Sequence, residues 1–342
     1  MTAAGNRHLL EVIDLQAGFA IGGRYYPAID HISLQVEPGK VTCIVGESGS
    51  GKSVLALSIM DLLPKDNGRR TQGEIRLNGR NLMEWSEAEM NRVRGREVGF
   101  VFQEPLTALN PIVTVGSQIQ EALRNHKPLS RRESRALTID LLRQVGILRP
   151  EAVFHEYPHQ LSGGMRQRVM IAMAIACEPQ LLIADEPTTA LDVSVQAQIL
   201  ALFKSLQQQR GMALLLITHN LGVVAEMADE VIVMYAGEIV EQGDVDRIFH
   251  EPKHPYLQQL LQLIPRLDRE YERFASIGGN VPSLLHMPQG GCRFAPRCPE
   301  AMERCFAEKP QMTDTGANHL VRCLLYSGGG ASGGTDGGDD DD

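Results

Sequence analysis

The chain has 342 residues, 43% of them hydrophobic and 22% charged, which is the composition of a soluble globular protein large enough for two domains. Its formal net charge is −9, or about −4 without the acidic last stretch SGGGASGGTDGGDDDD, which argues against a protein that follows a phosphate backbone. It lacks both an apolar run near the roughly 20 residues of a membrane span and an N-terminal secretory segment, so an intracellular protein is expected.

Short apolar runs alternate with helical patterns along most of the chain. Strands are predicted at residues 41–46, 99–103, 180–185 and 212–219. Their nearly continuous apolar character is typical of a sheet that is buried on both faces. Helices are predicted at residues 51–62, 115–126, 130–146, 163–176, 193–209 and 220–227. Strands and helices in succession favour an α/β fold with a largely parallel sheet.

The distribution of these patterns predicts three parts of the chain. Residues 1–249 form the main domain, and a helical subdomain is expected at about 104–178, where helices replace strands. Residues 250–326 begin near a short amphipathic helix at 254–265 and continue into a segment rich in Pro, Gly and Cys, which predicts a small C-terminal domain. The tail, 327–342, has no large apolar side chain to bury and is expected to be disordered.

A phosphate-binding loop follows the first predicted strand. The run GESGSGKS fits the pattern G-x-x-x-x-G-K-[ST], in which backbone N–H groups at a helix N-terminus surround a phosphate. Lys52 would supply a positive charge to the terminal phosphates, and the Ser53 hydroxyl could ligate Mg²⁺. The predicted loop consists of Gly46, Glu47, Ser48, Gly49, Ser50, Gly51, Lys52 and Ser53.

Two acidic residues lie at the end of the predicted apolar strand in the run LLIADEP, residues 181–187. Charge at the end of a buried strand is costly unless it has a partner or a role. Asp185 could reach the Mg²⁺ shell, and Glu186 could polarise the attacking water in a phosphoryl transfer. The alternative is that both acids simply form a turn.

The chain also contains the motif LSGGMRQR, residues 161–168. Together with the phosphate-binding loop and the run LLIADEP, this motif makes the chain resemble the ATP-binding cassette (ABC) ATPases. The resemblance covers about residues 8–250. Its further elements, in the family's order, are Gln103 in FVFQEP (Q-loop), Asp192 in TALD (D-loop) and His219 in LLITHN (switch histidine). Tyr26, or its neighbour Tyr25, resembles the aromatic residue that stacks on adenine.

The resemblance implies a fold, a ligand set and a mechanism. The fold is that of a P-loop NTPase with a RecA-like parallel sheet, an inserted helical subdomain and a small Cys-rich C-terminal domain. ATP and Mg²⁺ are the implied cofactors, with Ser53, Gln103 and Asp185 near the metal. Family members form head-to-tail dimers, so Ser162, Gly163 and Gly164 would bind the γ-phosphate of the partner's ATP. Hydrolysis would need Glu186, with His219 at the γ-phosphate and Gln103 sensing metal and water.

The flanking sequences resemble a particular branch of this family. FQEPLTALNP (102–111), the long run 157–193 and HPY (254–256) look like the cassettes of bacterial dipeptide, oligopeptide and nickel importers. This implies a second homologous cassette, in most cases a different chain, two transmembrane permease subunits and, indirectly, a periplasmic substrate-binding protein. The chain would lie at the cytoplasmic face of the bacterial inner membrane. Short peptides are favoured as the substrate, and nickel is the alternative.

A soluble ABC ATPase acting on DNA or ribosomes is the other functional alternative. The interval between the phosphate-binding loop and LSGG shows no sustained heptads, and the chain holds a single cassette, so this alternative is disfavoured. No nucleic-acid partner is expected.

Four cysteines lie in the C-terminal segment, at Cys292, Cys298, Cys305 and Cys323. In a reducing compartment a metal site is more plausible than disulfides. The spacing is looser than in tight zinc sites, and four thiolates match a [4Fe–4S] cluster, with which the similar Cys-rich family segments are associated. Zn²⁺ and free thiols remain alternatives. An arginine adjoins each cysteine in sequence and could offset the charge of a cluster, or could simply lie at the surface.

Overall fold

A computed structural model describes residues 8–189, 191–263, 277–288 and 290–327. The predicted disordered tail, 327–342, lies outside these residues except for Ser327. Within the described ranges, every helix is too short or too polar to cross a membrane.

The described strands form two sheets. One has four strands in the order β2-β1-β4-β5, and the other has eight in the order β11-β12-β10-β9-β3-β8-β7-β6. The strands are β1 (Leu10–Ile21), β2 (Arg24–Val36), β3 (Val41–Val45), β4 (Gly68–Leu77), β5 (Arg80–Asn81), β6 (Val98–Val101), β7 (Leu181–Asp185), β8 (Ala213–Thr218), β9 (Glu230–Tyr235), β10 (Glu238–Asp244), β11 (Thr313–Asp314) and β12 (Leu320–Val321).

The helices lie between the strands in sequence, and five consecutive ones separate β6 from β7. They are α1 (Lys52–Ile59), α2 (Glu87–Val93), α3 (Pro105–Ala108), α4 (Val115–His126), α5 (Arg131–Gln144), α6 (Pro150–Val153), α7 (Gly163–Ala174), α8 (Val193–Arg210), α9 (Leu221–Met227), α10 (Val245–His250) and α11 (Pro255–Gln262). Helices α3 to α7 follow one another between β6 and β7 and pack on one face of this sheet, in the core that holds Ile119, Leu142 and Phe154.

The larger sheet is parallel at its centre, as the sequence predicts. Strands β9, β3, β8, β7 and β6 run in the same direction, and β10 and β12 extend the sheet antiparallel. In β8, Leu214 and Leu216 pack into the core on one face, while Leu215 and Ile217 pack into the core on the other. Burial on both faces explains why this strand reads as a continuous apolar run.

The smaller, antiparallel sheet was not among the predicted elements. Its long strands β1 and β2 change register at several points, and Asp14 and His31 adopt φ angles of 50° and 52° within them. Each irregularity moves the following side chains to the other face of the strand, so the apolar residues lose the strict period of two on which a strand prediction depends.

The C-terminal segment is joined to the main body by strand pairing and by a buried contact between Glu241 and His319. Strand β12 pairs antiparallel with β10, which in turn pairs antiparallel with β9, the edge of the parallel region. The Glu241 carboxylate of β10 is fully buried, accepts hydrogen bonds from the backbone N–H groups of Lys253 and His254, and lies 2.7 Å from His319 Nε2. Phe294 is 1% exposed and packs edge-on against Tyr235 and Tyr256. The segment therefore shares the core of the main domain.

Phe294→Ala should destabilise the fold by about 3–5 kcal/mol, because the truncation leaves a cavity under the C-terminal segment. Urea-induced unfolding of the full chain measures this change. Phe306→Ala, which truncates a phenylalanine of the same segment that is 58% exposed, should change stability by less than about 0.5 kcal/mol. Equal effects of the two substitutions would contradict the described packing.

Candidate nucleotide-binding site

Most of the predicted site residues meet at one edge of the parallel sheet. Gly46 follows β3 directly, Gln103 lies two residues beyond β6, Asp185 ends β7, and His219 follows β8. Because these strands are parallel neighbours, their carboxyl ends lie side by side, which is where ligands bind in open α/β sheets.

The phosphate-binding loop requires glycine at particular positions. A Cβ atom at Gly46 would lie 2.2 Å from the carbonyl oxygen of Met234 in β9, so no larger residue fits between the two strands. Gly49 and Gly51 have φ angles of 82° and 97°, in the left-handed region that favours glycine. Ser50 is fully buried below the loop, and its carbonyl accepts a hydrogen bond from the N–H of Gly237.

Lys52 lies at the start of α1 and is 4% exposed. Its ammonium donates hydrogen bonds to the carbonyl oxygens of Gly46 and Glu47, at 2.8 and 2.9 Å, and lies 4.0 Å from the Glu186 carboxylate. Burial lowers the pKa of Lys52. The carbonyls and the carboxylate hold this cation at the centre of the loop, where a phosphate group can meet it.

A pair of oxygen donors suits a magnesium ion. The Ser53 hydroxyl donates to Asp185 Oδ1 at 3.1 Å, and Asp185 is 5% exposed. Burial raises the pKa of the Asp185 carboxyl, so the structure disfavours its charged form unless a cation offsets the charge. Hydroxyl and carboxylate oxygens are ligands that Mg²⁺ prefers, and it usually takes further oxygens from substrate phosphates. The two residues therefore fit this ion.

Three polar groups surround one oxygen of Glu186. Gln103 Nε2, Thr189 Oγ1 and His219 Nδ1 lie 3.2, 3.0 and 3.2 Å from Glu186 Oε2. Glu186 has a φ angle of 43°, a strained conformation for a residue with a side chain and one that occurs preferentially at functional sites. A carboxylate fixed in this way can orient a water molecule and accept its proton. Thr189 was not among the predicted site residues, and only its position three residues after Glu186 could have suggested it.

One cavity is lined by the phosphate-binding loop, by Gln103 and Glu186, and by residues of the C-terminal segment. Its described lining residues are Ala28, Ser48, Gly49, Gly51, Lys52, Ser53, Val54, Gln103, Glu186, Pro282, Leu284 and Met287. Tyr26 lies two residues before Ala28 in β2 but is not among the described lining residues, and a register shift at Ala28 separates the two. The contribution of residues 282–287 has no signal in the sequence.

The signature motif and the D-loop lie apart from the phosphate-binding loop. Ser162 caps the N-terminus of α7, where its Oγ accepts from the N–H of Met165 at 3.3 Å, and Asp192 caps α8 in the same way. Ser162 and Gly163 are exposed, and Gly163 borders a separate cleft that Gln103 and Leu191 also line. Within the described lining of the nucleotide cavity, the signature residues Ser162, Gly163 and Gly164 are absent.

The HPY element, residues 254–256, contacts the phosphate-binding loop. His254 caps α11 by accepting a hydrogen bond from the N–H of Tyr256, and Pro255 takes the first helical position. The buried Tyr256 hydroxyl accepts a hydrogen bond from the backbone N–H of Glu47 at 2.9 Å. The motif is thus both a helix start and a contact of the nucleotide site.

The four cysteines of the C-terminal segment line one small enclosed cavity, together with His254 and Phe294. None of the four is in a disulfide, and burial raises the pKa of Cys292 to about 11. In the described residues, no three His, Cys, Asp or Glu side chains are close enough to hold a single metal ion.

The arginines beside the cysteines point to other partners. Arg293 binds the Asp30 carboxylate and the carbonyl oxygen of Ala236, Arg304 pairs with Glu308, and Arg322 donates to the carbonyl oxygens of Ile239 and Pro310. Arg297 binds the carboxylate of Glu47. Sequence adjacency to a cysteine therefore does not direct these guanidinium groups towards the thiols.

Known proteins resemble the chain over almost its whole length. The sequence model of ABC transporters matches residues 29–189, and that of the oligopeptide/dipeptide transporter C-terminal region matches residues 240–305. The oligopeptide transport ATP-binding protein AppD of Bacillus subtilis is 49% identical over 323 residues, which cover 94% of this chain and 98% of that protein. The chain belongs to the ABC transporter family.

Further comparisons support the same ABC assignment. The dipeptide transport ATP-binding protein DppD of Escherichia coli is 50% identical over 315 residues, which cover 92% of this chain and 96% of that protein. A dimeric, post-hydrolysis structure of the ATP-binding cassette MJ0796 bound to ADP and Pi has a TM-score of 0.63 and 27% identity, covering 69% of this chain and 98% of that one. The predicted family and α/β cassette fold are confirmed, and the chain is an ABC ATPase.

Asp185→Asn should raise the melting temperature of the nucleotide-free chain at pH 7, because the fold holds a carboxylate whose pKa burial has raised above its unfolded value of 3.8. Such a group destabilises the fold above the raised pKa. The difference between Asp185→Asn and wild type should shrink as the pH falls through that pKa and vanish below the unfolded value, where both states are protonated. Calorimetry across this range measures it. A lower melting temperature for Asp185→Asn at pH 7 would contradict the cost of this buried charge.

Proposed function

We propose that this chain is the ATP-hydrolysing subunit of an importer for dipeptides and oligopeptides. The observation that carries the ATPase part is the meeting of Lys52, Asp185, Glu186, Gln103 and His219 at one edge of the sheet. The importer part is supported by the match of residues 240–305 to the oligopeptide/dipeptide transporter C-terminal region.

The geometry supports a role for each of these groups in phosphoryl transfer. Lys52 and the N–H groups of the loop would hold the β- and γ-phosphates of ATP, and Ser53 and Asp185 would ligate Mg²⁺. Glu186 would accept the proton of the attacking water, with Gln103 near the metal and the water. His219, which lies 57% exposed beside Glu186, would contact the γ-phosphate. Tyr26 would stack on adenine.

A dimer would complete the ATP site. The exposed N-terminus of α7, with Ser162, Gly163 and Gly164, offers N–H groups to a phosphate that another chain carries. Asp192, at the adjacent D-loop, would lie at the same interface. Two of the similar solved structures are dimers of ATP-binding cassettes, which supports an assembly of two cassettes. We propose that the partner is a second, homologous cassette, most simply a different chain.

The segment after Gln103 would dock on the membrane subunits. Leu106 and Ile112 are 60% and 82% exposed, and a partner that packs on this segment would bury both side chains. Two permease subunits would present helices to this surface, and the chain would then lie at the cytoplasmic face of the bacterial inner membrane. A periplasmic binding protein would deliver the substrate to them without touching this chain. Peptides are preferred over nickel because AppD and DppD are named for peptide transport.

The assembled importer tests this proposal. Tagged chain isolated from gently solubilised membranes is expected to bring a second cassette and two multi-span subunits. After reconstitution in vesicles with the binding protein, Glu186→Gln should bind Mg·ATP as wild type does but release phosphate at least about 100-fold more slowly, because an amide cannot accept the water proton. Peptide uptake should fall in parallel.

Glu178→Gln is the matched control, because Glu178 is an exposed carboxylate whose partner is Lys127, outside the site. It should retain both phosphate release and uptake. Normal turnover in Glu186→Gln would contradict the assigned base. Co-isolation of only ribosomes, DNA or soluble proteins would contradict the importer function. ATP-driven uptake of nickel but not of peptides would show that nickel, and not a peptide, is the substrate.

We also propose a [4Fe–4S] cluster on Cys292, Cys298, Cys305 and Cys323. The support is that all four thiols line one cavity and are free of disulfides. Four thiolates are the ligand set of such a cluster, and a cubane spaces its ligands farther apart than a single ion does. The cluster would fasten a loop-rich segment that has little core of its own. Zn²⁺ is the alternative occupant.

Metal and sulfide analysis of anaerobically purified full chain tests the cluster. About four iron and four sulfide ions per chain are expected for wild type. The control Cys177→Ser should keep them, because Cys177 is buried outside the cavity, and Cys292→Ser should lose them. Stoichiometric zinc without sulfide would establish the alternative, and a metal-free protein from anaerobic cells would contradict both.

A further inference from the structure

Arg297 connects the cysteine-bearing segment with the phosphate-binding loop. Its two terminal nitrogens bind the two carboxylate oxygens of Glu47, at 2.7 and 3.0 Å, although the residues are 250 positions apart. The Arg297 side chain is only 7% exposed, and the paired carboxylate raises its pKa, so it remains a cation. Glu47 is the second residue of the loop GESGSGKS.

Arg297 is itself held in a fixed orientation. Its Nε donates to the carbonyl oxygen of Gly278 at 2.8 Å, and a terminal nitrogen donates to the Tyr235 hydroxyl at 3.3 Å. It precedes Cys298, one of the four residues around the cysteine cavity. A planar fork with this many fixed partners restricts where the Glu47 side chain can lie.

A second ionic contact fixes the same segment beside the loop. Arg293 and Lys309 lie 2.7 and 3.0 Å from the Asp30 carboxylate of β2, and Lys309 lies 2.9 Å from the Glu238 carboxylate. Asp30, Glu238 and Arg293 are all buried. These ion pairs dock the segment on β2 and β10, and Arg297 faces Glu47 without needing to move.

Glu47 connects this ion pair to the groups that would bind ATP. Its backbone N–H donates to Tyr256, and its carbonyl accepts from Lys52. Without Arg297, the Glu47 carboxylate would be an unpaired negative charge beside the triphosphate and would be free to turn towards it. Both effects would weaken the binding of a polyanion.

We propose that Arg297 is a positioning residue for the ATP site, which it acts on by holding and neutralising Glu47. Through it the cysteine-bearing C-terminal segment sets the affinity of the phosphate-binding loop for nucleotide. This inference rests on the proposed ATP-binding function and adds a residue from outside the cassette motifs to it.

The test is the affinity of the full chain for Mg·ATP, measured by displacement of a fluorescent ATP analogue. Arg297→Gln should weaken binding about tenfold, the value of one charge-assisted bidentate contact. Arg297→Lys, which keeps the charge but loses the fork, should restore part of the affinity. Arg304→Gln is the matched control, since Arg304 precedes Cys305 and pairs in solvent with Glu308, and it should bind as wild type does.

A double-variant cycle separates positioning from a general loss of structure. In a Glu47→Gln background there is no carboxylate to neutralise, so adding Arg297→Gln should change the affinity less than about twofold. A tenfold loss that persists in this background would show that Arg297 does not act through Glu47. Unchanged affinity in Arg297→Gln alone would also overturn the inference. Failure of wild type to bind Mg·ATP would instead contradict the proposed function itself.

Discussion

The shared edge of the parallel strands is the constraint on which the rest of this structure depends. Strands β3, β6, β7 and β8 all present polar groups at or just after their carboxyl ends. These groups approach within hydrogen-bond distance only because the strands are neighbours in one sheet. The backbone approach between Gly46 and Met234 is so close that even a Cβ atom does not fit. The chemistry of the site therefore follows from the packing of the sheet.

Charge within this edge is balanced rather than avoided. Lys52, Asp185 and Glu186 are all largely buried, and burial shifts the pKa values of Lys52 and Asp185 towards their neutral forms. A magnesium ion and a triphosphate would supply the opposite charges that the cluster lacks when alone. The same principle applies at Glu47, whose carboxylate forms its salt bridge with Arg297, 250 positions away in sequence. Buried charges of this kind lower the stability of the fold, but they allow the site to bind the charges of a ligand.

The sequence could predict those parts of the fold whose signals are local. The apolar runs at β3, β7 and β8 identify the buried parallel strands, and the motifs at Lys52, Glu186 and Ser162 lie at strand ends and a helix start. The antiparallel strands β1 and β2 were missed because irregularities at Asp14 and His31 interrupt their alternation. The contacts of Tyr256 and Arg297 with Glu47 could not be predicted, because each joins residues more than 200 positions apart.

The central claim is that the phosphate-binding loop and the cysteine-bearing segment form one binding unit. Amide hydrogen exchange of the full chain, with and without Mg·ATP, tests it most directly. We predict that the nucleotide slows exchange both in residues 46–53 and in residues 290–298, because Glu47 and Arg297 hold them together. Protection of the loop alone, with unchanged exchange in the C-terminal segment, would contradict the account.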